Sequence, residues 1–277
     1  MNLEQITKNV YAITDGSTIG NVAAFVTDNN IIIIDSGMNI PKMKEFRKEL
    51  EKVTGKETTK LVLTHFHGDH VFGSQVFSDC DIIASKPTMK RMEESLEKEW
   101  TKEQLQERIE NSENPEMLEG LEIVLPTKQF EEEYIIADNS KKIIVKRTGG
   151  HTKGSSYAYY PQAKALMAGD NLFIERFPWG GDKEADPDMW IDCLEEYLSL
   201  DCQYYIPGHG PVSNNEKVKE FLDYIKKIKK VVNQELQAGT AKEEIIKKAS
   251  NIDFYPPSSE ESKRLTLQKW IAVWSES

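Results

Sequence analysis

Apolar positions in the first two-thirds of the chain fall into short dense runs, interleaved with segments that repeat every three or four residues. The runs at 10–13, 22–27 and 31–35 predict strands, and the unbroken Ile31-Ile32-Ile33-Ile34 predicts one covered on both faces. Met43, Phe46, Leu50 and Val53 then recur at helical spacing behind Pro41, which suits a helix's first turn. Further strands are expected at 61–64, 81–85, 141–148, 155–160, 165–168 and 204–206, with an amphipathic helix over 188–200. The charged stretch 87–111, carrying Met89, Met92, Leu96, Trp100, Leu105 and Ile109, reads as one or two surface helices inserted between strands. After Ser213 the pattern turns helical throughout. Val218, Phe221, Leu222, Ile225, Ile228, Val232 and Leu236 make one long stripe, followed by a short helix near Glu243 and a last segment over 262–274. The chain therefore divides into an α/β domain of catalytic size over 1–213 and a helical extension over 214–277.

Charge narrows the choice of function. The 277 residues carry 35 Lys and Arg against 46 Asp and Glu, a net −11 that argues against a duplex-binding groove. There is no apolar run of membrane-spanning length, and the first five residues lack a basic start followed by an apolar core, so neither a membrane segment nor a signal peptide is expected. Cys80, Cys193 and Cys202 are scattered and odd in number, which points to a reduced, cytoplasmic protein. The expected partner is a small-molecule substrate, with no nucleic acid and no membrane.

The five histidines carry the candidate chemistry. Three lie in Thr64-His65-Phe66-His67-Gly68-Asp69-His70, the fourth in Gly149-Gly150-His151-Thr152 and the fifth in Pro207-Gly208-His209-Gly210. Each group follows a predicted strand, where α/β proteins place their sites. On a helix His65 and His67 would diverge by about 200°; in a loop leaving a strand they project to one side and can share an ion. With a helix starting near Gly68, Asp69 and His70 diverge by about 100° on its first turn, which suits a second ion. Neutral imidazole and carboxylate are what zinc-type ions accept. Asp170, in Ala168-Gly169-Asp170-Asn171, is the natural bridging carboxylate. Gly149, Gly150 and Gly208 let backbone approach closely. Asp35 is a candidate to orient a ligand, or simply a strand terminator.

His65-x-His67-x-Asp69-His70, Gly150-His151-Thr152, Gly169-Asp170 and Gly208-His209-Gly210 occur in an order that resembles the metallo-β-lactamase-fold hydrolases, from about residue 10 to residue 213. The resemblance implies a four-layer αββα sandwich binding two divalent ions, zinc in the first instance with iron or manganese as alternatives. It implies His65, His67 and His151 on one ion, Asp69, His70 and His209 on the other, and Asp170 bridging both. The implied reaction is hydrolysis of an ester, lactone, thioester or amide by a hydroxide bridging the two ions, with Asp69 or a metal-bound water passing a proton to the leaving group. Asp170 stands where many β-lactamases of this fold carry Cys or Ser, and His67 where flavin-linked members carry Glu, which disfavours both activities. Gly169-Asp170-Asn171-Leu172-Phe173 is similar to glyoxalase II-like thioesterases, whose helical C-terminal domain supplies cations, here Lys226, Lys227, Lys229 and Lys230. Acyl-homoserine lactonases would have Tyr at Phe173.

Three readings compete: a metal-dependent acyl hydrolase; a phosphodiesterase or nuclease on the same centre, disfavoured by charge; and a metal sensor without turnover. The segment 177–181 is read as either a mobile lid or a packed loop. Trp100 is expected in a core, with the site mouth as the alternative. Trp270, Ile271, Val273 and Trp274 are expected to dock onto the domain, with a homodimer contact as the alternative. The lysine cluster is expected to be a solvated helix face unless it serves the site.

Overall fold

The computed structural model describes residues 3–276; Met1 and Asn2, part of the N-terminal stretch read above for targeting signals, lie outside the described residues. Two sheets face each other. The first takes β1 (Glu4–Thr7), β2 (Val10–Ile13), β3 (Val22–Val26), β4 (Asn30–Ile34), β5 (Glu57–Val62), β6 (Asp81–Ser85) and β7 (Lys128–Phe130) in chain order. It is antiparallel up to β4 and parallel beyond. The second runs in the spatial order β12 (Tyr204–His209), β11 (Ala165–Phe173), β10 (Ser156–Tyr160), β9 (Lys141–Arg147), β8 (Glu133–Asp138), with only the β11–β12 pair parallel.

The isoleucine run shows why helices cover both outer faces. Ile32 and Ile34 point between the sheets, where they meet Val10, Phe25, Val145, Tyr160 and Met167. Ile31 and Ile33 point outward, onto Met43, Phe46 and Leu50 of α1 (Ile40–Thr54). A strand buried on both faces has no solvated side to spare for polar residues. α1 begins where expected: the Asn39 side chain accepts from Lys42 N, Pro41 sits in the first turn and Gly55 closes the helix in the left-handed region. α3 (Lys86–Lys98) and α4 (Lys102–Glu110) are the two helices of the charged insertion. Trp100 between them is buried and packs edge-on against Phe72, the core placement.

The outer face of the second sheet is covered by α5 (Pro187–Ser199), α6 (Asn215–Gln237), α7 (Lys242–Ser250) and α8 (Glu260–Glu276). These helices share one apolar cluster with the sheet: Leu166, Leu172, Trp190, Phe221, Ile245 and Trp270 are all in it. The chain thus forms the αββα sandwich, helix layer, sheet, sheet, helix layer. Trp270 and Trp274 dock within the chain, Trp270 edge-on to Trp190 and Trp274 Nε1 donating to Asp188. Among the described residues no helix is long and apolar enough to cross a membrane.

Candidate metal centre

Four chain segments deliver the seven predicted residues to one end of the sandwich. β5 leads into the loop holding His65 and His67, and α2 (Gly68–Val71) begins at Gly68, so Asp69 and His70 occupy its first turn. His151 follows β9, while His209 is the last residue of β12. Asp170 departs from its predicted position: β11 does not stop at 168 but runs to Phe173, so the carboxylate projects from within the strand. All nine residues of β11 are buried, and breaking the ladder earlier would leave their backbone groups unpaired.

The seven side chains form two groups that meet at Asp170. His65 Nε2 and His151 Nε2 stand 3.2 and 3.0 Å from His67 Nδ1, and 3.7 and 3.4 Å from Asp170 Oδ2. On the other side His70 Nε2 and His209 Nε2 lie 3.0 and 3.4 Å from Asp170 Oδ1, and 3.6 and 3.2 Å from Asp69 Oδ2. His65, His67, His151 and Asp170 form one set with ligand-type atoms close enough to surround one ion, and Asp69, His70 and His209 form another. Nitrogen and carboxylate oxygen are the donor set of zinc-type ions. Among the described residues, buried His70 Nε2 and Asp170 Oδ1 have no hydrogen-bond partner, the condition a cation between them would relieve. The residues present therefore fit divalent metal.

Electrostatics divides the imidazoles. Burial pushes His65 well below its usual range and His151 down to about 4, leaving both neutral with free lone pairs. Burial acts the same way on His70 and His209, but carboxylates outweigh it. Asp170, Asp69 and Asp35 lift His70 well above the usual range, and Asp170 with Asp69 lifts His209 to about 9. Burial tends to raise the Asp170 carboxyl, yet the surrounding imidazoles hold it well below the carboxylate range. The pocket attracts positive charge at the second group.

A supporting layer fixes the rings. Asp35, in the left-handed region at φ 60°, accepts from Thr64 N at 2.7 Å and Thr64 Oγ1 at 2.8 Å and pairs with His70 Nδ1 at 2.8 Å. Such strain persists only where surroundings over-determine it, and here the contacts to Thr64 and His70 hold Asp35 against the His70 ring. Thr64 Oγ1 also lies 3.0 Å from His65 Nδ1. Asn171, which sequence reasoning passed over, accepts from His151 N and donates to Thr148 Oγ1 and Gly149 O. Asp182 Oδ2, also passed over, stands 3.8 Å from His67 Nε2. A Cβ on Gly150, at φ 96°, would sit 2.8 Å from Asn171 Oδ1, so the glycine is needed there.

The 177–181 segment is packed rather than free. Phe177 N donates to Pro256 O, Gly180 N to Thr266 Oγ1, and Trp179 O lies 2.8 Å from His151 Nδ1. Its backbone is thereby tied both to the C-terminal helices and to a candidate ligand. Two of the four clustered lysines of α6 face α5: Lys226 pairs with Glu195, and Lys229 with Asp188 at 2.9 Å, while Lys227 lies beside Tyr224 and Phe254.

Residues 15–209 match the description "Metallo-beta-lactamase superfamily". Among curated proteins the chain is similar to a linear primary-alkylsulfatase from Pseudomonas sp. (strain ATCC 19151), 23% identical over 220 residues, covering 69% of this chain and 42% of that protein. It is also similar to the beta-lactamase-like protein 2 homolog of Caenorhabditis elegans, 25% identical over 198 residues, 70% of this chain and 57% of that one. The chain thus spans about half the length of these two relatives. Among solved structures, a metallo-beta-lactamase from Pontibacter korlensis superposes with a TM-score of 0.63 at 18% identity, covering 81% of this chain and 98% of its own. A double mutant of the sec-alkyl sulfatase PisA1 superposes at 0.74 and 15% identity, covering 96% of this chain and 49% of its own.

Proposed function

The chain belongs to the metallo-beta-lactamase superfamily, and on that premise we propose that it is a dinuclear-metal hydrolase of a small ester-like substrate: an ester, thioester or lactone. The observation that carries this is the split of Asp170, one oxygen toward His65 and His151 and the other toward His70 and His209. His65, His67 and His151 would hold one ion; Asp69, His70 and His209 the other; Asp170 both. Zinc suits these donors, as do iron and manganese.

Ions held there supply Lewis acidity and make water a nucleophile at neutral pH. The protein's own groups do the rest. Asp35, Thr64, Asn171 and the Trp179 carbonyl hold the imidazoles in position. Asp69, partly exposed and 3.2 Å from His209 Nε2, accepts a proton from the attacking water. The water oxygen bonds to the acyl carbon, and the bond to the leaving oxygen or sulfur breaks with its electron pair. Asp69 then returns the proton to that atom. Three free, buried cysteines agree with a reducing compartment such as the cytoplasm.

A second reading, hydrolysis of a sulfate ester, is favoured by the alkylsulfatase relative and by the sulfatase superposition that takes in 96% of the chain. The deciding experiment assays metal-loaded protein on matched carboxylic, thio-, lactone and sulfate esters, with a chelated control. Turnover of acyl substrates that chelation abolishes supports the first reading, and turnover of sulfate esters alone supports the second. Full activity after chelation contradicts both.

A further inference from the structure

We propose that the cleft beside His209 receives an apolar leaving group, so that the preferred substrates are esters of medium-length aliphatic or aromatic alcohols. This rests on the hydrolase reading above. The cleft encloses about 460 Å³ between the 173–179 segment and residues 256–262. At ~30 Å³ per water-sized volume, that admits an alkyl group on the order of ten carbons.

Apolar side chains make up most of its walls. Phe173 stacks on the His209 ring, with centroids 5.4 Å apart and planes 16° from parallel, so the apolar floor runs directly into the second ligand group. Phe177, Trp179, Pro256 and Pro257 supply the sides. The charges at the rim, Glu175 and Arg176, are exposed and of opposite sign, and Lys263 Nζ, 5.6 Å from the Phe177 ring centroid, donates to Ser250 O. Ser258 and Ser262 bond to each other at 2.9 Å and thus spend a donor internally. The two walls are already joined, by Phe177 N to Pro256 O and by Gly180 N to Thr266 Oγ1, so little ordering accompanies binding. The orientation follows from Asp69. It hands its proton to the leaving oxygen and stands against His209, at the end of the centre where the cleft opens.

The test uses metal-loaded full chain on ethyl, butyl, hexyl and octyl acetate, set against ethyl esters of acids of matching length. Lengthening the alcohol should raise kcat/KM roughly three- to four-fold per methylene until the cleft is full, while lengthening the acid should change it little. Ser258→Trp, which fills the cleft from an exposed position, should flatten the alcohol series. Calorimetry with 1-octanol reads the cleft without turnover: the natural chain should bind it and Ser258→Trp should not. A flat alcohol series beside normal ethyl acetate turnover, a rise that follows the acid instead, or no 1-octanol binding overturns the proposal. Tight 1-octanol binding with no carboxylic ester turned over leaves the cleft standing and overturns the acyl-ester reading.

Discussion

Gly208 faces Asp170 so closely that a Cβ built on the glycine would fall 1.9 Å from Asp170 Oδ1 and 2.8 Å from Asp170 N. β12 must therefore carry no side chain where it passes the carboxylate that joins the two ligand groups. Gly208→Ala is expected to displace Asp170, weaken metal binding by about ten- to one-hundred-fold and destabilise the fold by ~1–3 kcal/mol. Metal titration and denaturant unfolding measure the two effects separately. Unchanged metal affinity would remove Asp170 from its proposed role.

Thr266 links α8 to the centre through Gly180 N and, by way of the same segment, the Trp179 carbonyl beside His151. Thr266→Val keeps the shape and removes the acceptor, leaving the buried Gly180 N–H unsatisfied. Stability should fall by about 1–3 kcal/mol, and metal affinity by several-fold as His151 loosens. Urea unfolding and metal titration would show it; an affinity unaltered despite lost stability would confine Thr266 to the scaffold.

Metal uptake should release protons. Without metal, His209 stays protonated up to about pH 9, because nearby carboxylates outweigh its burial, and His70 is raised likewise. Ions need neutral imidazole, so protons compete wherever the pH lies below those values. Affinity should therefore climb as pH rises toward 9 and weaken as it falls. Calorimetry in buffers of different ionisation enthalpy should return a buffer-dependent heat at pH 7; identical heats in all buffers would contradict the charge pattern.

Asp138 on β8 ties the second sheet to the turn between β3 and β4, accepting from Thr27 Oγ1 at 2.6 Å, Asn29 N at 2.7 Å and Asn30 Nδ2 at 3.2 Å. The Thr27 hydroxyl above all holds this carboxyl far below the usual range. A depressed carboxyl stabilises the fold fully above its unfolded value, about 3.9, and loses that contribution as pH drops below it. Asp138→Ala should cost about 1–2 kcal/mol at pH 7, less the discount for its exposed side, and flatten the loss of stability below pH 4. Equal acid unfolding of both proteins would show that the tie is idle.

The centre was legible in sequence because its chemistry demands rare residues in tight spacing. All five histidines lie in it, and the apolar runs around them marked most of the strands that carry them. What escaped lies at sheet edges or depends on distant contacts. β1, Glu4–Thr7, is an edge strand without buried positions, and β8, Glu133–Asp138, another edge, buries only Ile136, so neither offered an apolar run. β7 has three residues and one buried. Asn171, Asp182 and Thr266 look like ordinary polar residues until the fold sets them beside His151, His67 and Gly180. The strand expected at 165–168 runs on to Phe173, because full burial keeps Gly169-Asp170-Asn171 in the sheet.

Elemental analysis of the purified chain, before and after chelation and with stepwise metal return, bears most directly on the whole account. Two equivalents of a divalent transition metal per chain, with Asp170→Ala retaining less and ester turnover returning only as the second equivalent binds, is the predicted result. A chain that binds no such metal, or that hydrolyses its substrate at full rate when stripped, would contradict it.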